Sequence, residues 1–81
     1  MPTLHRFAGL RVVVYPNDDR PAHVHVTDGN EAVFELHCPE GPPELRENYG
    51  FRSGQIATIK QELTANLGKL CAGWSEIHDG Y

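Results

Sequence analysis

The stretch that most constrains this chain is Pro21-Ala22-His23-Val24-His25-Val26, which runs through Thr27 into the turn signal Asp28-Gly29-Asn30. Successive side chains of a β-strand point to opposite sides, so Val24 and Val26 face one way and His23 and His25 the other. The segment Glu31–His37 alternates too, with Ala32, Phe34 and Leu36 on one face and Val33, Glu35 and His37 on the other. A three-residue loop at 28–30 sets Val26 opposite Ala32 and Val24 opposite Phe34, so the two apolar faces coincide. A two-residue loop would send those faces to opposite sides, and burial of one face therefore selects the longer turn. In that register His25 lies opposite Val33, and His23 lies opposite Glu35.

Leu4–Phe7 and Leu10–Tyr15 read as two earlier strands joined at Ala8-Gly9, where either a two-residue turn or a glycine bulge fits. The second strand places Leu10, Val12 and Val14 on one face and Arg11, Val13 and Tyr15 on the other. Pairing in the same spirit brings Tyr15 into a row with His23 and Glu35, and Val13 into a row with His25 and Val33. Residues 38–52 form a proline-rich loop around Pro39, Pro42 and Pro43, with Glu44–Glu47 as a candidate short edge strand. From Ser53, taken as the N-cap, the beat becomes helical: Ile56, Ile59, Leu63, Leu67, Leu70, Trp74 and Ile77 make one stripe. Gly68 and Gly73 each weaken such a helix by about 1 kcal/mol relative to alanine, which favours a bend or fraying there. The expected architecture is α+β, a three- or four-stranded antiparallel meander packed on one long C-terminal helix. It forms a single domain over 1–81, with strands roughly at 3–37 and the helix roughly at 53–78.

The net charge of −4 argues against a broad phosphate-binding surface, leaving room only for a local basic patch, and Lys60 and Lys69 are diluted by Glu62 and Glu76. No apolar run approaches the roughly 20 residues of a membrane span, and no signal-peptide pattern stands at the start. These features predict a cytoplasmic chain that binds neither nucleic acid nor membrane. Cys38 and Cys71 are too few for a disulfide scaffold and lie in unlike contexts, a loop and a helix, so they read as reduced thiols. A domain this small has a thin core, which self-association would help to stabilise.

With these residues in hand, the chain resembles a family of small, mostly bacterial proteins classed as domain-of-unknown-function family 4160. The resemblance rests on Met1-Pro2, Gly9, Asp18, the Pro21–Val26 segment, Ala32-Val33-Phe34, Glu62-Leu63 and Asn66, and the Pro-x-His-x-His-Val strand is its most specific part. Family members commonly carry a histidine after the loop aspartate, where this chain has Asp19. The resemblance implies an α+β fold and no established reaction. Members are often encoded beside other small domains, in arrangements that look like toxin–antitoxin pairs.

Three functional readings compete for the histidine face. As an interaction module, the chain would use Arg11, Val13, His25 and Val33 as a contact surface for a second copy or another small protein. No cofactor is expected in that case. As a hydrolase or nuclease, it would use His23 oriented by Glu35, with Tyr15 as a proton donor. In a metal-dependent version His23 and His25 would hold zinc or another divalent ion, with Glu35, His37 or Asp19 as third ligand. The interaction reading is the main expectation, because histidines on a half-covered sheet face more often complete a network than perform chemistry.

Overall fold

The computed structural model describes residues 3–17 and 21–78. Asp18, Asp19 and Met1-Pro2, used above, lie outside them. The order of elements is β1 (Thr3–Phe7), β2 (Leu10–Val13), β3 (His23–Thr27), β4 (Glu31–Glu35), β5 (Glu44–Tyr49), α1 (Ser53–Ala65) and α2 (Leu67–His78). The strands form an antiparallel meander in sequence order. The α+β class holds, but the sheet has five strands rather than three or four, and two helices replace the single long one.

The central hairpin has the register that burial demands. Val24 pairs with Phe34, Val26 with Ala32, and Thr27 with Glu31, which leaves a three-residue loop. Asp28 Oδ1 accepts the Asn30 N–H at 3.1 Å, and Gly29 takes a φ of 108° that disfavours any side chain. The first hairpin, open in the sequence, closes with two residues: Phe7 pairs with Leu10, while Ala8 (φ 49°) and Gly9 (φ 79°) are both left-handed. Positive φ at both central positions is the type I′ turn, whose twist matches that of the flanking strands.

β2 ends at Val13 and β4 at Glu35, two residues earlier than their apolar patterns suggest. Beyond β4, the Leu36 N–H still reaches Ala22 O at 2.9 Å, but His37 turns left-handed at φ 54° and ends the ladder. β5 occupies part of the expected loop and, among the described residues, pairs only with β4. All six of its residues are exposed. As an edge strand it buries neither face, so no apolar alternation marks it.

Val12, Val14, Val24, Val26, Ala32, Phe34 and Leu36 pack against Ile59, Leu63, Leu67, Leu70 and Trp74, none more than 9% exposed. The helical stripe thus holds across the break at Asn66. There Asn66 Nδ2 donates to Glu62 O at 2.9 Å, competing for the carbonyl that the Asn66 N–H shares with Leu63 O. The interruption comes from this side chain and not from Gly68 or Gly73. α1 begins one residue inside its cap, which is Arg52 and not Ser53; Gln55 Oε1 accepts the Arg52 N–H at 2.9 Å. No helix among the described residues is long and apolar enough to cross a membrane.

Two long-range ties connect sheet and helices. Lys69 Nζ can only donate, and it faces His5 Nδ1 at 3.1 Å, so the imidazole proton sits on Nε2 and is donated to Glu62 at 2.7 Å. This chain links β1 to both helices across their break. The second tie corrects the reading of two free thiols: Cys38 and Cys71 are joined in a disulfide, with Cα atoms 5.8 Å apart. Cys71 lies four residues after Leu67 and three before Trp74, hence on the buried stripe that the loop after β4 crosses.

Two glycines of α2 make opposite predictions. A Cβ at Gly68 would meet nothing within 4 Å, whereas one at Gly73 would lie 2.8 Å from Leu4 Cδ2 of β1. Gly68→Ala is expected to raise stability by about 0.5–1 kcal/mol. Gly73→Ala should gain nothing, because the helix preference is offset by displacement of Leu4. Denaturant midpoints of the two variants, compared at equal slope, check both.

Candidate functional site

The side of the sheet away from the helices carries the candidate residues, arranged by strand pairing into rows. One row reads Arg6–Arg11–Thr27–Glu31–Tyr49, each directly opposite the next across five strands. The next reads Val13–His25–Val33–Glu47, and beyond it His23 pairs with Glu35 and Glu35 with Glu44. In β5 a register shift falls between the partners of Val33 and Phe34, where Glu47 and Leu45 are paired. The extra residue, Arg46, turns its guanidinium onto Glu35 Oε1 of this same face.

The expected backbone pairs are present, but the side chains choose other partners. Val13 opposes His25 and His25 opposes Val33, as alternation required. Both valines are buried within the single chain, so neither offers contact area. His23 opposes Glu35 along the backbone, yet His23 Nδ1 donates to Pro21 O at 2.8 Å. The Glu35 carboxylate goes to Arg46 through one oxygen and to His37 Nδ1, at 3.3 Å, through the other. His25, not His23, takes a carboxylate across the hairpin: its Nδ1 donates to Glu31 Oε2 at 2.8 Å, a diagonal contact. Tyr15 lies past the end of β2 with its ring 4.1 Å from that of His25, and the His23 ring meets His25 edge-on at 5.5 Å. Tyr15 and His23 thus both pack on His25, and Glu35 stands opposite His23 across the backbone. Arg11 is exposed beside Arg6.

A second cluster surrounds the end of β4. The two ring nitrogens of His37 face different carboxylates, Glu35 on one side and Glu44 on the other, the latter at 2.9 Å from Nε2. An imidazolium, which donates from both nitrogens, satisfies both contacts at once. Among the described residues this is the group whose potential ligand atoms gather within 4.8 Å, and it contains neither His23 nor His25.

A scan against family models matches residues 9–75 to a domain of unknown function, DUF4160. The chain belongs to the DUF4160 family. No curated protein and no solved structure matches it. In this DUF4160 chain the Pro-x-His-x-His-Val strand is the middle of five, so its histidines stand at the centre of the helix-free face. Glu31, Tyr49 and Arg6 escaped the sequence reading, and Glu44 and Arg46 entered it only as part of a candidate edge strand. Four of them depend on where β5 begins or on a diagonal contact, and Arg6 on a hairpin register that the sequence left open.

Tyr49 gives the electrostatics of this face a direct readout. It is 59% exposed, and its hydroxyl donates to Glu47. That hydrogen bond, then the Glu47 charge and, least, the Glu31 charge oppose a phenolate and raise the pKa above the usual 10.0. A phenol held neutral in this way stabilises the fold below the ordinary tyrosine range, and the contribution is lost as pH climbs through the raised value. Ultraviolet titration of tyrosinate, with Tyr49→Phe to assign the signal, should show Glu47→Gln returning Tyr49 toward its ordinary value.

Proposed function

We propose that this chain is a self-associating protein-interaction module whose contact surface is the helix-free face, and that its occupant is a second copy of the chain. The observation that carries the reading is the row Arg6–Arg11–Thr27–Glu31–Tyr49. It places two adjacent exposed arginines at one edge and a carboxylate beside an exposed ring at the other. Two like charges directly opposite on neighbouring strands are destabilising, and an anionic neighbour would relieve them. A two-fold axis laid along the central strand brings β2 over the second copy's β4 and β1 over its β5. Arg11 then meets Glu31, and Arg6 meets the ring of Tyr49, each contact occurring twice. An in-plane axis across the strands would instead set Glu31 against Glu35, like against like, so charge selects the first arrangement.

The exposed row offers a footprint on the order of a few hundred Å² per copy, well below the roughly 800 Å² of a standard interface, so the dimer is a weak one. We place the module in the bacterial cytoplasm, as half of a two-protein regulatory pair of the toxin–antitoxin kind. The dimer leaves both helical layers outward for the other protein. Sedimentation velocity over a concentration series should show monomer and dimer in exchange, with weaker association at high salt. Arg11→Glu and Glu31→Arg should each weaken dimerisation by about tenfold or more, and the double exchange should restore it. A chain that stays monomeric throughout, or a dimer indifferent to both changes, overturns the reading.

A second reading, a small divalent-metal hydrolase, is favoured by one observation, the gathering of Glu35, His37 and Glu44. In that reading zinc or a similar ion is held at the end of β4 rather than by His23 and His25, displacing Arg46 from Glu35. Calorimetric titration with zinc, paired with elemental analysis, then shows one tight equivalent that Glu44→Gln abolishes. Absence of binding removes this reading and leaves the first intact.

A further inference from the structure

β5 is attached to the protein in an unusual way. None of its six side chains is buried, so the strand adds no buried side chain to the core and keeps its place by backbone pairing to β4, by the exposed contacts of Arg46 with Glu35 and Glu44 with His37, and by its two ends. The far end is fixed by Asn48, whose side chain exchanges hydrogen bonds with the backbone of Phe51 at 2.9 and 3.1 Å, and Phe51 itself is buried. The near end arrives through the 36–43 loop, which is held against α2. Pro43 is fully buried, and Gly41 approaches Leu67 so closely that a Cβ there would lie 2.6 Å from Leu67 Cδ2. The covalent part of this clamp is Cys38–Cys71, which joins the loop to α2.

We propose that Cys38–Cys71 is a redox latch that controls local release of the 38–49 segment while the β1–β4 sheet and both helices stay folded. Cys71 is 3% exposed and Cys38 is only partly buried, so an external dithiol reaches the Cys38 sulfur first. Its thiolate attacks Cys38 Sγ, the S–S bond breaks, and the electron pair leaves on Cys71 Sγ, which takes a proton. The second thiol of the dithiol then attacks its own sulfur in the mixed disulfide. This releases Cys38 as a thiol and leaves the reductant as a disulfide, so two electrons and two protons pass to the protein. Release withdraws Pro43 and the partly buried Cys38 from the core but no side chain of β5, and this small loss is why the opening is local rather than global. The segment released carries Arg46, the partner of Glu35, and Glu44, a partner of His37, so the cluster at the end of β4 comes apart with it. Disulfides that cycle in this way are the kind met in reducing compartments. The inference stands apart from the self-association reading, since its readout is internal to one chain.

Amide hydrogen exchange of the full chain, oxidised and after treatment with dithiothreitol, tests the latch. Reduction should speed exchange across 40–49 by about tenfold or more relative to the change in β2 and β3, while the near-ultraviolet signal of buried Trp74 persists. Cys38→Ser with Cys71→Ser should reproduce the reduced pattern, and if that variant does not fold, the reduced wild-type chain decides alone. Acceleration shared equally by all strands, unchanged exchange in 40–49, loss of the fold on reduction, or two free thiols in the air-oxidised protein would each overturn the proposal.

Discussion

One-sided burial of the β3–β4 hairpin is the constraint from which the rest of the structure follows. Val24, Val26, Ala32 and Phe34 are completely buried, and they can all be so only if the turn between them has three residues. A slip of one residue would carry each of these side chains to the opposite face. The register therefore also decides what stands on the other side, where His23, His25, Glu31 and Glu35 have no choice but to face away from the helices. The polar face is a by-product of the core, and its order is inherited from it.

That inheritance explains why the candidate site is ordered without being buried. No charged or polar residue among the described ones is fully buried, so the face pays only part of the desolvation penalty for its ionic contacts. Its contacts range from the exposed Glu44 to the His25 and Glu35 side chains, which are 12% and 15% exposed, and the exposed ones are individually weak. Their direction is set by the backbone: acids gather on β4 and β5, and a pair of arginines stands on β1 and β2. In the proposed dimer a face divided in this way meets its own copy turned about the strand direction, an arrangement that a uniformly charged face would oppose.

The margins of the fold are held by quite different means. β1 is tied to the helices by His5, which bridges Glu62 and Lys69 on either side of the break at Asn66. Among the described residues β5 shows no such ionic link to the helical layer and depends on backbone pairing, its contacts with Glu35 and His37, the Asn48–Phe51 contacts and the cross-linked loop. The domain thus combines a core in which almost everything is buried with an edge that is attached almost without burial. Local opening, where it occurs, belongs at that edge.

By itself, the sequence determined the α+β class, the face each residue of the central hairpin presents, the three-residue turn and the buried helical stripe, because all of these follow from periodicity and one-sided burial. The family resemblance was legible too, in the Pro21–Val26 strand and the residues around it. Tertiary structure alone decided the fifth strand, since a strand exposed on both faces leaves no apolar beat. It also decided the break at Asn66, which turns on one side-chain amide competing for one carbonyl. The Cys38–Cys71 bond and the partners of His25, Glu35 and His37 likewise belong to tertiary structure: spacing tells which face a side chain occupies, but only packed neighbours tell which group it meets there.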